Sequence, residues 1–183
     1  MVRDNVSYGS LDTAMWIAGS ENVRVIGNEL HSSVIGFEIT VSNEVEVTAN
    51  RIYNNTVGVG LFHPNGAGNP PLEDMENWVI EHNDVYDNNL SPNPAPPGTF
   101  QSVLPPGIGI LLSGVSDHQV IDNQVTGNNY VGIAVLGWCT GLQIFECQLE
   151  PEGDLRAPPG ATNNQVARNY LSNNATDAEP PPG

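Results

Sequence analysis

Residues 45–61 read VEVTANRIYNNTVGVGL. Apolar side chains alternate at Val45 and Val47, recur at Ile52, and alternate again at Val57, Val59 and Leu61. Asn50, Asn54 and Asn55 divide these short runs. Strands are poor in asparagine, because its side chain competes for backbone hydrogen bonds. Its return every few residues therefore needs a reason, either in the backbone or in chemistry.

The same template recurs along the chain. With Asn50 as anchor, an apolar residue lies three before it (Val47) and two after it (Ile52). A polar residue follows at plus five (Asn55), and then a glycine strand, Gly58-Val59-Gly60-Leu61. Asn28 has Val25, Leu30, Ser33 and Gly36-Phe37-Glu38-Ile39. Asn83 has Ile80, Val85 and Asn88, with a late glycine strand read as Gly107-Ile108-Gly109-Ile110. Asn123 has Val120, Val125, Asn128 and Gly132-Ile133-Ala134-Val135. Asn169 has Val166, Leu171 and Asn174, and a degraded copy surrounds Asn5. The anchors are 22, 33, 40 and 46 residues apart, so a minimal unit of about 22 residues carries insertions of variable length.

Each unit holds three short period-two strands and no helical periodicity. Stacking such units gives a parallel β-solenoid with strands about 4.8 Å apart. The fold expected is all-β, a right-handed parallel β-helix of five or six coils over residues 1–174, about 29 Å of rise. Residues 175–183 read as a flexible acidic and Pro-rich tail. A corner between strands needs positive φ, which Asn tolerates better than most residues. Asn28, Asn50, Asn83, Asn123 and Asn169 are therefore expected to stack as an amide ladder. Ser33, Asn55, Asn88, Asn128 and Asn174 mark the next corner.

Composition narrows the partners. The chain has 183 residues, a net charge of −16, five arginines and no lysine. Nucleic acid and anionic membrane surfaces are disfavoured, because both are bound largely through clustered Lys and Arg. No run approaches the ~18 apolar residues of a membrane span. The N-terminal MVRDNVSYGS carries no signal-peptide core. Cys139 and Cys147 match no common zinc spacing. A disulfide between them and two separate buried thiols are both compatible with the sequence.

The motif N-x-[VIL]-x-x-[ND]-N or its Ser variant, followed by G-[IVF]-x-[ILV], resembles the repeat of right-handed parallel β-helix proteins of the pectate-lyase-like superfamily. The resemblance covers about Asn5 to Asn174. It implies that the V-x-[VI] strands form the second sheet, the asparagines a tight corner, and the glycine strands the first sheet. In the enzymes of that superfamily the cleft lies on this first sheet. Relatives include pectate lyases, polygalacturonases, mannuronan epimerases and NosD-type periplasmic proteins linked to copper-enzyme maturation. The resemblance implies a periplasmic or extracellular location. The short rise and the absence of a cap helix suggest a fragment of a longer solenoid.

Three insertions flank the glycine strands, at 62–77, 90–106 and 136–162. As loops on a rigid scaffold they are expected to wall a groove. The outward residues of its floor are read as Trp16, Glu38, Gly60, Gly109 and Ala134. Trp16 and Phe62 offer rings for stacking on sugar faces. His63, Glu73 and Asp74 are the candidate catalytic or cation-binding groups, with calcium the cation the superfamily suggests. His31 is read as a turn residue, and His82 and His118 as structural, so no metal site is assigned. No arginine falls on the glycine strands, and the N-T-D, G-H-G and D-P-H-D motifs of the three enzyme types are absent. The residues favour a scaffold or binding module for carbohydrate or another extended ligand. The alternatives are a lyase, hydrolase or epimerase with a non-standard site, and a NosD-like maturation partner. Residues 92–106 read as a stiff lid over exposed aliphatic side chains.

Overall fold

The computed structural model describes residues 1–63, 75–137 and 160–177. Glu73, Asp74, Cys139 and Cys147 lie outside the described residues. Among the described residues seventeen strands, all paired in parallel, form three sheets. One coil illustrates the path. Strand β4 (Glu21–Ile26) turns at Asn28 into β5 (Glu29–His31), turns again at Ser33 into β6 (Ile35–Thr40), and turns at Ser42 into β7 (Asn43–Thr48). The glycine strands β3 (Thr13–Ala18), β6, β9 (Val57–Phe62), β12 (Ile108–Ser113) and β15 (Val131–Leu136) make sheet 1. The strands entering the Asn corner make sheet 2, and the three-residue strands leaving it make sheet 3, each six-stranded.

The register stacks like upon like. Val25, Val47, Ile80 and Val120 are paired in sheet 2, and Leu30, Ile52, Val85 and Val125 in sheet 3. From sheet 1, Phe37, Val59 and Ile110 form one inward row, and Ile39, Leu61 and Leu112 another. All these side chains are fully buried. Burial of each is worth about 1.5–3 kcal/mol. A three-sided coil of this size leaves room for one aliphatic layer per turn, which explains the near-uniform Val, Ile and Leu.

The Asn corner is a continuous amide ladder. The Asn28 backbone N–H and Nδ2 both donate to Asn50 Oδ1, at 2.8 and 2.9 Å. Asn50 does the same to Asn83 Oδ1, at 3.0 and 2.9 Å. The pattern continues to Asn123 and Asn169, and begins at Asn5. The Asn50 amide also donates to the carbonyls of Val25 and Thr48 at 3.0 Å. A second ladder runs through Asn55, Asn88, Asn128 and Asn174, with Ser10 and Ser33 at its start.

Positive φ sits elsewhere than the sequence suggested. The left-handed residue is the one before each ladder asparagine: Ala49 (φ 55°), His82 (φ 53°), Asp122 (φ 53°) and Arg168 (φ 56°). At the second corner it is Ser32, Asn54, Asp87 and Asn173. A third such row, Asn22, Glu44, Asn77, Asp117 and Asn163, lies at the entrance to sheet 2. The turn and the ladder are thus separate tasks given to adjacent residues. The backbone kink costs strain at residue minus one, and the ladder amide offsets it by satisfying the carbonyls and N–H groups the turn strips from the sheet.

The glycine row is the other correction. Register pairs Ile110 with Val59 and Leu111 with Gly60. Gly109 therefore aligns with Gly58, two positions from the sequence-based reading, and it faces the interior. A Cβ on Gly58 would stand 2.5 Å from the Gly109 carbonyl oxygen. Here the chain has no space for a side chain.

The two tasks are separable by mutation. Asn50→Ala removes five ladder bonds inside a buried corner and is expected to cost about 3 kcal/mol or more. Asn54→Gly, at an exposed left-handed residue, is expected to be nearly neutral. Denaturant melts of the two variants measure the difference.

Candidate functional site

The outer face of sheet 1 carries three outward rows, set by register. One is Thr13, Ile35, Val57, Ile108 and Val131. The next is Trp16, Glu38, Gly60, Leu111 and Ala134. The last is Ala18, Thr40, Phe62, Ser113 and Leu136. Leu111, not Gly109, stands on the floor.

Most of this face is covered. Val34, Ile35, Val57, Phe62, Ile108 and Leu111 form a second apolar cluster with Ala95 and Leu104 of the Pro-rich segment. Phe100, Ala134 and Leu136 pack against it. Phe100 sits in a short 3-10 turn (Phe100–Val103) and meets the Phe62 ring edge-on, centroids 5.2 Å apart. Asn93 ties the segment together, its Nδ2 donating to the carbonyls of Gln101 (2.8 Å) and Leu104 (3.0 Å). The Pro-rich insertion is therefore a lid that completes a second core, as its Phe, Val and Leu content implied.

The lid changes the standing of the predicted groove residues. Phe62 is only 2% exposed and offers no free face to a sugar. Gly60 is not an open floor position, since a Cβ there would fall against the Phe62 ring. Glycine is needed so that the phenyl ring can fold back over its own strand. Ala134 packs against the lid cluster, and Gly109 faces inward. His63 is buried, its backbone N–H donating to the Ser113 carbonyl at 3.2 Å.

What stays accessible is the N-terminal end of the face. Trp16 is 60% exposed, yet its Nε1–H donates to Thr40 Oγ1 at 2.9 Å. The ring is thus fixed on the first two coils. Beside it in the same row, Glu38 is 7% exposed and accepts from Thr13 Oγ1 at 2.6 Å. Thr13 Oγ1 also lies 3.2 Å from Asp12 Oδ1, so one hydroxyl links two carboxyl groups. Burial pushes the Glu38 carboxyl up to about 7. The Thr13 hydrogen bond opposes this, and the Asp12 charge adds to it. The result is an indole platform beside a carboxyl group that ionises near neutrality.

The histidines resolve into structural roles. His118 is buried and stacks on Trp78 with centroids 4.2 Å apart. Its Nδ1 accepts from the Trp78 backbone N–H at 3.3 Å, which makes Nε2 the protonated nitrogen. Burial lowers its pKa to about 4. His82 is a left-handed corner residue. His31 is not in a turn; it ends strand β5 and is stacked between Tyr8 and Tyr53. That row, Tyr8, His31, Tyr53 and Tyr86, went unnoticed in the sequence. Its signal was present, because each ring lies three residues after a ladder asparagine. Among the described residues no group of three or more His, Cys, Asp or Glu is placed to hold a metal ion.

Three parallel sheets wound coil on coil, with amide ladders at two corners and a lidded glycine sheet, define a β-helix protein. The sequence matches the family described as the right handed beta helix region over residues 1–149, and the chain belongs to that family. The ladder continues past this match, through Asn169 and Asn174. No curated protein and no solved structure matches the chain significantly.

Glu38 carries a pH signature. Its folded pKa lies above its unfolded one, so its contribution is fully present below about pH 4.5 and is lost as pH rises through about 7. Glu38→Gln is expected to equal the parent near pH 4.5 and to exceed it at pH 8, by at most about 3 kcal/mol. His118 acts oppositely, since its neutral form is the one folding favours and stability is lost as pH falls from about 6.5 toward 4. Thermal melts of parent and Glu38→Gln across pH 4.5–8 measure the difference.

Proposed function

We propose that this β-helix is a glycan-binding module whose ligand rests on Trp16 at the N-terminal end of sheet 1. The observation that carries the reading is an indole left 60% exposed but pinned by a hydrogen bond to Thr40. A large apolar ring held rigid in water loses little further freedom on binding, and it presents a flat face to the C–H face of a pyranose. Thr13, Asp12 and Glu38 lie beside it and supply acceptors for sugar hydroxyls. Two carboxyl groups there favour neutral sugars over polyuronates, because a uronate would meet like charge. Arg3, Arg24, Arg51 and Arg168 all lie on sheets 2 and 3 or their corner, away from this face.

A second reading rests on Glu38 itself. A carboxyl group ionising near pH 7 suits general acid or base catalysis. A glycan bound on Trp16 would lie within reach of it, so binding and bond cleavage would share one site. Release of reducing or unsaturated ends from a bound polysaccharide, lost in Glu38→Gln, would favour this reading. An unaltered polymer after long incubation would leave the binding module alone.

Titration with neutral oligosaccharides, followed by tryptophan fluorescence and calorimetry, tests the proposal. Trp16→Ala is expected to weaken binding at least tenfold, by about 1.4 kcal/mol or more, with little change in melting temperature. Equal binding by Trp16→Ala, or no binding across a broad glycan array, would remove the carbohydrate reading.

A further inference from the structure

Sheet 3 presents a face with a different chemistry. Its outward row holds Tyr8, His31, Tyr53 and Tyr86, in register from coil to coil. Successive ring centroids are 5.0 Å apart, with interplanar angles of 4°, 14° and 8°. The adjacent row places Glu29, Arg51 and Asp84 beside these rings. Tyr53 donates its phenolic proton to Glu29 Oε1 at 2.5 Å. Arg51 Nη2 donates to the Tyr86 oxygen at 2.9 Å. Within this ladder Tyr53 and Tyr86 are the one pair of tyrosines in direct contact, since His31 separates Tyr53 from Tyr8.

We propose that Tyr53 and Tyr86 form an oxidative coupling site, at which a peroxide-driven one-electron oxidant joins the two rings as dityrosine. Two observations carry this: the parallel stacking of two half-buried phenols, and a carboxylate already holding the proton that must leave. A phenol gives up an electron readily only when its proton departs with it. At Tyr53 the proton passes to Glu29. At Tyr86 it passes to solvent, with the Arg51 guanidinium already on the oxygen. Two phenoxyl radicals then couple through their ortho carbons, after rotation about χ2 brings those carbons together. The ortho hydrogens leave as protons and both oxygens regain theirs. Two electrons and two protons are lost in all, and one hydrogen peroxide is reduced to two waters.

Register makes coupling here a proximity effect. The Arg51–Asp84, Ile52–Val85 and Tyr53–Tyr86 pairing holds the rings one strand spacing apart, so the local concentration of one radical near the other far exceeds that between molecules. The cross-link would staple one coil to the next across the insertion between them. This site lies on a different sheet from Trp16 and does not depend on the glycan reading.

Exposure and geometry predict opposite outcomes, which makes the test decisive. Tyr8 and Tyr170 are the most exposed tyrosines, at 68% and 62%. If accessibility ruled, oxidation would start there and join separate molecules. The experiment is to treat the folded full chain with hydrogen peroxide and a haem peroxidase, then follow dityrosine fluorescence, denaturing electrophoresis and peptide mass mapping. The expected product is a monomer lighter by two hydrogens, with residues 53 and 86 joined and a melting temperature several degrees higher. Tyr53→Phe and Tyr86→Phe keep the ring stack, so they should fold, and each should abolish that product. Glu29→Gln should slow its formation several-fold. Dityrosine only between molecules, its persistence in Tyr86→Phe, or none at all would overturn the proposal. An unchanged rate in Glu29→Gln would overturn the role given to that carboxylate.

Discussion

The buried corner amide is the interaction on which the rest of this structure depends. A coil can close only by turning sharply, and a sharp turn strips backbone groups of their sheet partners. At the first corner of each coil one asparagine repairs this. Its Oδ1 takes two donors from the coil before, and its Nδ2 reaches two carbonyls as well as the next rung. Both Oδ1 lone pairs and both Nδ2 hydrogens of the side chain are engaged while the residue is almost fully buried. Aspartate would bring a charge and lose the donors, and glutamine would not fit the same reach. The ladder therefore fixes where each coil sits on its neighbour, and the Val, Ile and Leu rows inherit their register from it.

That dependence explains what could be read from the sequence. Apolar periodicity and the recurring asparagines together specified strand number, coil closure and ladder membership, because each depends on a local pattern. The insertions obscured the rest. Between Asn88 and Gly109 the Pro-rich segment ends in its own glycine, Gly107, which mimicked the repeat and shifted the strand by two residues. That slip put Gly109 on the outer face and hid Leu111. The fate of Phe62 was equally out of reach, since burial of that ring depends on Phe100, thirty-eight residues later in the chain. Long-range lid packing leaves no periodic trace.

The candidate site follows the same logic. Glycine at 60 looks like space for a ligand, but its space is filled by the residue two positions on. Where the row holds Trp16 and Glu38 instead, none of the described residues folds back in this way, and the face keeps an exposed ring beside a buried carboxyl. Of the six groove residues expected from the sequence, these two stay outside the lid's packing, with Trp16 exposed and Glu38 buried beside it. The tyrosine row on sheet 3 shows the converse. It was fully periodic, at plus three from each anchor, yet it becomes meaningful only once stacking converts a repeat position into ring contact. Stacked repeats turn one-dimensional periodicity into ladders, and the ladders differ in chemistry from face to face: amides at the corner, aliphatic rows inside, phenols outside.

The asparagine ladder holds coil to coil. Backbone amide hydrogen exchange at Asn28, Asn50, Asn83 and Asn123 tests it most directly, because each of these N–H groups donates to a side-chain oxygen of the next rung rather than to a strand carbonyl. Exchange at these four sites should match the slowest strand amides and proceed only through global unfolding. Rapid exchange there, with the flanking strand amides still protected, would contradict the account and leave the register to the apolar core alone.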